Sequence, residues 1–196
     1  LWEYNAEKNY WIQKASLAND SISGARNGAV GFGTDSKGYI GTGYNGEEKL
    51  KDFWEYDPDA NTWERKADFA GSARYAAVEF SISNKGYNGT VYDGNSLKDF
   101  YEYDPTTDIW TKIISMGGSK RTDAIAFVIN GKAYVGTGLD NGVYEDDLWE
   151  YDPTISSWTE KREISNNSDE NYDDDYAIQR VEAVAFTING LGYVAT

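Results

Sequence analysis

The sequence predicts an all-β fold, a propeller whose blades are sheets of four antiparallel strands, and three observations lead to this prediction. The 196 residues include 16 Tyr, 7 Trp and 20 Gly but only three Pro and one Met, which is typical of strands joined by tight turns. An aromatic segment recurs four times along the chain. The full repeats span about 47 to 48 residues and each carries four strand patterns, as expected for propeller blades.

The most regular part of the repeat is a segment of eleven residues that ends in Trp. Its four copies read LWEYNAEKNYW, FWEYDPDANTW, FYEYDPTTDIW and LWEYDPTISSW. A Tyr lies seven residues before the final Trp in each copy: Tyr4 and Trp11, Tyr56 and Trp63, Tyr103 and Trp110, Tyr151 and Trp158. Because these aromatic residues recur at one spacing, we interpret them as packing between blades and not as ligand contacts.

A second block precedes three of these copies and returns at the end of the sequence. It reads ARNGAVGFGTDSKGYIGTG, ARYAAVEFSISNKGYNGTV, KRTDAIAFVINGKAYVGTG and QRVEAVAFTINGLGYVAT. Runs of small and apolar residues such as 29–32 and 124–129 predict the first strand, and Asn130-Gly131 predicts a hairpin into the second. The third strand carries the Trp-Glu-Tyr alternation, and an Asp-Pro turn leads into the fourth.

Together these motifs resemble kelch repeats, in particular the WEYDP type of bacterial surface and secreted proteins. The resemblance rests on the Arg that opens the second block, on the Gly-Thr-Gly after the second strand and on the Tyr to Trp spacing, and it covers essentially the whole chain. Gly-Thr-Gly departs from the paired glycine usual in the family, and Gly89-Thr90-Val91 departs further. The resemblance implies a propeller with partner sites on the face where the arginines lie.

The repeats also predict the domain organisation: a half blade at 1–24, blades at 25–71, 72–118 and 119–179, and a half blade at 180–196. Residues 180–196 would supply the inner pair and residues 1–17 the outer pair of one blade, which closes a ring of four blades. Kelch propellers usually have six or seven blades, and about ten residues of the repeat are missing between the two half blades. We therefore favour a part of a longer propeller, and we expect a mature or partial chain from which any export signal would have been lost.

Charge and composition exclude several classes of function. The 33 acidic and 18 basic residues give a net charge of −15, which disfavours nucleic acid and anionic membrane surfaces as partners. No apolar stretch approaches the roughly 20 residues that span a bilayer. The sequence has no His and no Cys, so disulfides, thiolate chemistry, imidazole bases and Cys/His zinc sites are excluded, and we predict no cofactor.

The predicted ligand face is the one where the connections between blades meet the loops between second and third strands. Four arginines open the innermost strands there, at the mouth of the central channel: Arg26, Arg74, Arg121 and Arg180. A guanidinium group binds a carboxylate with two hydrogen bonds, so an anionic ligand such as a peptide side chain, a uronic acid or a sialic acid would fit. We favour the alternative that each Arg pairs with an acidic neighbour, for which Asp123 and Glu182 are available.

The loops of the same face supply further candidates: Tyr44, Asn45, Tyr92, Asp93, Asp140 and Tyr144. Exposed Tyr beside Asn or Asp suits stacking on sugars or contact with proteins, although turn formation explains the same residue types and is the interpretation we favour. In the acidic segment 165–175, Asp169 and Asp173 alternate as calcium ligands do. The glycine and the closing glutamate of a calcium loop are absent, so we favour a solvated acidic loop.

For function, the sequence favours a non-enzymatic binding or scaffold module that presents the loops of one face to a protein or glycan. No nucleophile with a base and no distinguishable pair of carboxylates is present. The resemblance implies two alternatives: a kelch-type enzyme such as a sialic acid epimerase, or a structural component of a large extracellular assembly. The copper site of galactose oxidase needs His and Cys and is excluded for this segment. We expect an extracellular, periplasmic or cell-surface location.

Overall fold

The protein, as a computed structural model, consists of strands and turns over residues 1–17, 25–93, 95–164 and 181–195, which are the residues that the structure describes. The terminal pairs are β1 (Trp2–Asn5) with β2 (Tyr10–Gln13) and β17 (Val184–Ile188) with β18 (Leu191–Ala195). The first blade comprises β3 (Val30–Gly33), β4 (Gly38–Gly41), β5 (Phe53–Asp57) and β6 (Thr62–Lys66). The second comprises β7 (Val78–Ile82), β8 (Lys85–Tyr92), β9 (Ser96–Asp104) and β10 (Ile109–Ile113). The third comprises β11 (Ile125–Ile129), β12 (Lys132–Gly136), β15 (Leu148–Asp152) and β16 (Ser157–Lys161), with a short hairpin of β13 (Leu139–Asp140) and β14 (Val143–Tyr144).

Each blade is a four-stranded antiparallel sheet in which chain order is also spatial order. The sheets run β3-β4-β5-β6, β7-β8-β9-β10 and β11-β12-β15-β16. The first strands of successive sheets contact one another, β3 with β7, β7 with β11 and β11 with β17, so they form the innermost layer. The predicted all-β fold with four-stranded blades is confirmed. Within the described ranges no helix is long and apolar enough to cross a membrane.

The two terminal pairs pack at different ends of this row of blades. The backbone N–H of Ala15, just after β2, donates to Asn61 Oδ1 of the first blade at 2.9 Å, and Trp63 Nε1 donates back to the Ala15 carbonyl at 3.0 Å. The other pair packs against the third blade through β17 and β11. Among the described residues no strand ladder joins β1 or β2 to β17 or β18. The number of blades in the parent propeller stays a prediction.

The turn between third and fourth strands is closed by the Tyr of the aromatic segment. Tyr56 donates its hydroxyl to Asn61 Oδ1 and Tyr103 donates to Asp108 Oδ1, both at 2.8 Å. The acceptors have φ of +54° in both cases, a left-handed conformation that Asn and Asp tolerate better than most residues. The spacing of seven residues is therefore fixed by a hydrogen bond across the turn as well as by packing.

Neighbouring blades pack together through a Phe ring of one blade and a glycine of the next, which has no side chain to block the ring. The ring of Phe32 in β3 lies on Gly86 in β8, where an added Cβ would come within 1.9 Å of Phe32 Cζ. Phe127 lies in the same way on Gly192. In the third blade the corresponding residue is Ala133, fully buried in one cluster with Phe80. The residue before the Tyr of each second strand is small because a Phe ring of the preceding blade fills the space that a larger side chain would need.

Two features of the second and third blades differ from the repeat pattern. The loop after β12 carries the short hairpin β13–β14, where the sequence analysis expected only a loop. In the second blade the ladder of β8 and β9 shifts register between Gly89 and Val91. That shift coincides with Gly89-Thr90-Val91, where the sequence departs from Gly-Thr-Gly.

A valine at Gly86 tests the interlock between blades. Gly86→Val would drive Cβ and both methyl groups into the Phe32 ring, so we expect the free energy of unfolding to fall by about 1–3 kcal/mol. The control is Gly33→Val, because within the described residues an added Cβ there would meet only the Lys37 carbonyl oxygen, at 3.9 Å. Urea unfolding followed by Trp fluorescence measures both, and equal losses would contradict the proposed packing.

Candidate functional site

One face of the protein, here called the connection face, is formed by residues 42–52, 93, 95 and 137–147 between second and third strands, and by 67–77 and 114–124 between blades. Backbone hydrogen bonds join the two kinds of segment. The Gly43 N–H donates to the Arg74 carbonyl at 2.7 Å, and the N–H of Val91, near the end of β8, donates to the Arg121 carbonyl at 2.8 Å. The first and second blades are thus tied to the openings of the blades that follow them.

The arginines of the connection face form ion pairs with an aspartate of the same blade, which directly precedes the third strand in the first and third blades and lies within β9 in the second. Each guanidinium donates to both carboxylate oxygens, with nitrogen to oxygen distances of 2.7 Å in the first blade and 3.1 Å in the second. Arg74 and Arg121 are completely buried. The pairs are Arg26 with Asp52, Arg74 with Asp99, and Arg121 with Asp147.

Further hydrogen bonds complete the surroundings of these pairs. Arg121 also donates to the Thr137 carbonyl at 3.0 Å, and Trp149 Nε1 donates to Asp147 Oδ2 at 2.8 Å. In the first blade Trp54 holds Asp52 in the same way. Burial raises the pKa of Asp52, but hydrogen bonds from Arg26 and Trp54 outweigh it and hold the pKa below its usual range.

Ion pairing to an acidic residue was the favoured interpretation of the arginines, but the partners differ from those named in the sequence analysis. Asp147, 26 residues along the chain, pairs with Arg121, whereas the nearby Asp123 accepts a hydrogen bond from Thr122 Oγ1 at 2.7 Å. Arg180 lies outside the described residues, so a pairing with Glu182 is not described. An anionic ligand at Arg74 or Arg121 would have to displace an aspartate from a buried guanidinium. Ligand binding by the arginines stays a prediction.

The Thr of each Gly-Thr motif contributes in a way that the sequence analysis missed. Thr42, Thr90 and Thr137 have φ of +55°, +39° and +57°, which is strained for a β-branched residue. Their hydroxyls are buried and have no hydrogen-bond partner within the described ranges. The carbonyls of Thr42 and Thr137 accept from Arg26 and Arg121, so the strained backbone presents an acceptor to the guanidinium.

The first-blade loop candidates serve the turn. Asn45 Oδ1 accepts from the backbone N–H groups of Glu47 and Glu48 at 2.9 and 2.8 Å. The Tyr44 hydroxyl donates to the Gly46 carbonyl at 2.8 Å, and its ring lies 5.9 Å from the ring of Tyr75. A role of either residue in binding stays a prediction.

The remaining loop candidates are spread along the face. Asp93 accepts from the Ser72 hydroxyl at 2.8 Å and from the Asn95 N–H at 3.2 Å, and Tyr92 lies in β8. In the short hairpin, Tyr144 is 55% exposed, while Asp140 Oδ1 is buried with no partner in the described part of the chain. The weak metal candidates Asp169 and Asp173 lie outside the described residues. Within those residues, no group of three or more acidic side chains is placed to hold a metal ion.

A cavity of about 450 Å³ opens on the connection face between the second blade, the third blade and the terminal pair β17–β18. The two carboxylates in its lining, Asp123 and Glu182, entered the sequence analysis only as arginine partners. The side chain of Ser96 is almost fully buried at the cavity wall. The lining residues are Tyr75, Ala76, Ser96, Thr122, Asp123, Leu139, Asn141, Gly142 and Glu182.

The carboxylates of the cavity occupy equivalent places in successive repeats, two residues after the opening Arg. This position is left-handed throughout, with φ of +56° at Gly28, +55° at Ala76, +54° at Asp123 and +51° at Glu182. Backbone hydrogen bonds link successive members, from the Ala76 N–H to the Gly28 carbonyl at 2.9 Å and from the Asp123 N–H to the Ala76 carbonyl at 3.5 Å. The openings of the blades therefore form a chain along the inner edge of the face.

Glu79 is the one acidic residue at its position in the inner strands. The other inner strands carry Gly31, Ala126 and Ala185 there. Burial raises the pKa of Glu79 to about 7, against a smaller opposing effect of a hydrogen bond from the Gly31 N–H. Its neighbour across the ladder is Asn88, whose side-chain amide is buried with no partner among the described residues.

Comparisons with known proteins agree with this architecture. Residues 86–117 match the family model of the Kelch motif. The fold is similar to that in a solved structure titled "Structure of YjhT", with a TM-score of 0.74, 18% sequence identity and 96% of this chain covered. The chain spans 63% of the length of that protein, and at this identity the similarity concerns the fold alone. No curated protein is significantly similar in sequence.

The arginine pairs predict a large loss of stability when one partner is removed. Arg121→Ala would leave Asp147 without its buried partner, so we expect the free energy of unfolding to fall by about 3–5 kcal/mol. Replacing both residues, as Arg121→Met with Asp147→Leu, should recover most of the loss. Urea unfolding measures this, with the exposed Arg162→Ala as control. A loss at Arg121 no greater than at Arg162 would contradict the structural role.

The raised pKa of Glu79 predicts that the stability of the protein depends on pH. Because its pKa is raised to about 7 in the folded protein and is near 4.5 in the unfolded chain, folding favours the protonated acid. The stabilisation is complete below pH 4.5 and is lost as the pH rises through 7. Glu79→Gln keeps an acceptor for the Gly31 N–H and removes the charge. We expect it to be more stable than wild type at pH 8, by up to about 3 kcal/mol, with the difference vanishing near pH 4.

Urea unfolding between pH 4 and pH 8 measures this difference. The control is Glu160→Gln, which removes an exposed carboxylate from the outer strand β16. Parallel pH profiles of wild type and Glu79→Gln would contradict the assignment of a raised pKa to Glu79.

Proposed function

We propose that this chain, which matches the Kelch motif at residues 86–117 and folds as blades of a β-propeller, is a binding module whose connection face holds a protein or glycan partner. The observation that carries this proposal is the cavity of about 450 Å³, which lies within the usual size range of ligand sites. Three successive repeat units contribute to its lining. A site assembled from the loops of several blades forms a concave surface, and its residues can change while the sheets of the fold stay the same.

The rigidity of the loops around the cavity supports a preformed site. Arg74 and Arg121 anchor the segments that open the second and third blades, and their carbonyls accept hydrogen bonds from Gly43 and Val91 of the preceding blades. Ordering a loop upon binding costs conformational entropy, and these loops are already ordered in the folded protein. Affinity would therefore come from the cavity lining rather than from induced closure.

An enzymatic function is the alternative, and one observation favours it. A carboxyl group with a pKa of about 7, such as that of Glu79, is suited to proton transfer at neutral pH. A kelch-type sialic acid epimerase would be the corresponding activity. NMR of sialic acid anomers with wild type and Glu79→Gln separates the two functions, since a binding module leaves the rate of interconversion unchanged.

The location and assembly of the protein are part of the same proposal. The acidic composition and the resemblance to kelch repeats of bacterial surface and secreted proteins support an extracellular, periplasmic or cell-surface setting, where a repeat scaffold can serve in a larger assembly. The proposed function requires only that the connection face be accessible to its partner.

Blocking the cavity tests the proposed function. Asn141 is exposed at the cavity rim in the short hairpin, so Asn141→Trp should place a bulky ring over the opening. We expect ligands found on glycan and peptide arrays to lose at least about tenfold in affinity, which corresponds to about 1.4 kcal/mol. The control is Ala60→Trp, at an exposed turn on the opposite face. Array ligands that bind both variants equally well would contradict the assignment of this site.

A further inference from the structure

We propose that the cavity on the connection face takes a positively charged side chain, the lysine or arginine of a peptide partner; this inference rests on the proposed function. The sign of the charge is the first reason. Among the described residues of its lining, Asp123 and Glu182 are acidic and none is a lysine or an arginine. The buried arginines beneath the same face already hold Asp99 and Asp147.

Neither cavity carboxylate has a cationic partner among the described residues. Asp123 accepts one hydrogen bond, from Thr122 Oγ1 at 2.7 Å, which leaves acceptor positions open on the carboxylate. The two residues open successive repeats and line one cavity, so their negative potentials add at a recessed place. An anionic ligand would be repelled there, whereas an ammonium or guanidinium group would be attracted.

A second and independent observation points to a ligand in the same cavity. Ser96 lines the wall and is only 7% exposed, and no hydrogen bond joins its hydroxyl to another of the described residues. A serine hydroxyl can donate one hydrogen bond and accept two, so it can serve a ligand at the cavity wall. A donor on a bound ligand would satisfy this hydroxyl.

The apolar part of the lining matches the stem of a basic side chain. Leu139 and the ring of Tyr75 line the cavity together with the carboxylates. The methylene groups of lysine and arginine pack on apolar surface while the charged end reaches polar groups, and an aromatic ring attracts a nearby cation. The combination favours an extended basic side chain over a compact cation.

The backbone at the two carboxylates provides a test that separates binding from folding. Asp123 and Glu182 have φ of +54° and +51°, and the first repeat carries Gly28 at the same place with φ of +56°. Glycine adopts this conformation without strain. Asp123→Gly is therefore expected to raise the urea midpoint and at the same time to weaken ligand binding, which a purely structural role of the carboxylate would not produce.

Isothermal titration calorimetry at about 50 mM salt, low enough to limit screening, measures the binding. The probes are acetylated, amidated pentapeptides with a central Lys, Arg, Gln or Glu between glycines, with glucosamine as a non-peptide amine. We expect the Lys and Arg peptides to bind, and Asp123→Asn and Glu182→Gln each to weaken binding about five- to tenfold. Glu160→Gln, which removes an exposed charge on the outer strand, should leave the affinity unchanged.

The outcomes separate this inference from the proposed function. Binding of Gln or Glu peptides as tight as that of Lys peptides, or affinities unchanged in Asp123→Asn and Glu182→Gln, would overturn the charge assignment. If array ligands still bind and are blocked by Asn141→Trp, the proposed function survives that result. Binding of glucosamine alone would overturn the peptide source, and absence of binding by every probe and array ligand would overturn both proposals.

Discussion

The buried arginine–aspartate pair of each blade is the interaction on which the connection face depends. The side chain of Arg121 joins the opening of its blade to Asp147, at the start of the third strand, and to the carbonyl of Thr137 at the end of the second. Its own backbone carbonyl accepts from Val91 of the preceding blade. One residue thus fixes the order of strands within a sheet and the position of that sheet beside its neighbour.

These pairs specify the structure more than they stabilise it. Removing a guanidinium and a carboxylate from water costs about as much as their attraction returns, so a matched apolar pair can be equally stable. The ionic version demands one geometry, because the fork of hydrogen bonds and the strained Thr137 carbonyl must both meet the guanidinium. It also neutralises the arginines beneath the face, so that they do not offset the carboxylates of Asp123 and Glu182 in the cavity lining.

The repeat allowed the fold to be predicted from the sequence, whereas the site could be predicted only in part. Composition and spacing were enough for the blades, because Tyr56 and Trp63 or Tyr103 and Trp110 recur with the turn that links them. The partners of the arginines left a signal that was missed, since Asp52 and Asp147 follow their arginines by 26 residues and Asp99 follows by 25. The cavity left no such signal, because its walls come from segments far apart in the chain and its carboxylates lie on backbone that usually calls for glycine.

The packing of Phe rings on small residues gives every sheet two unlike sides: a Phe ring protrudes from one side, and the other side has a small residue that leaves room for such a ring. Phe32 and Phe127 fill the space above Gly86 and Gly192 of the following sheets. At the two ends of the row, the corresponding ring and glycine have no neighbouring sheet packed on them among the described residues. Phe186 is 46% exposed, and of the described residues only Tyr56 lies within 4 Å of a Cβ placed on Gly38. Contacts of this head-to-tail kind fix the order and polarity in which sheets join. They do not fix the number of sheets, which depends on the rotation between neighbours that closes a ring.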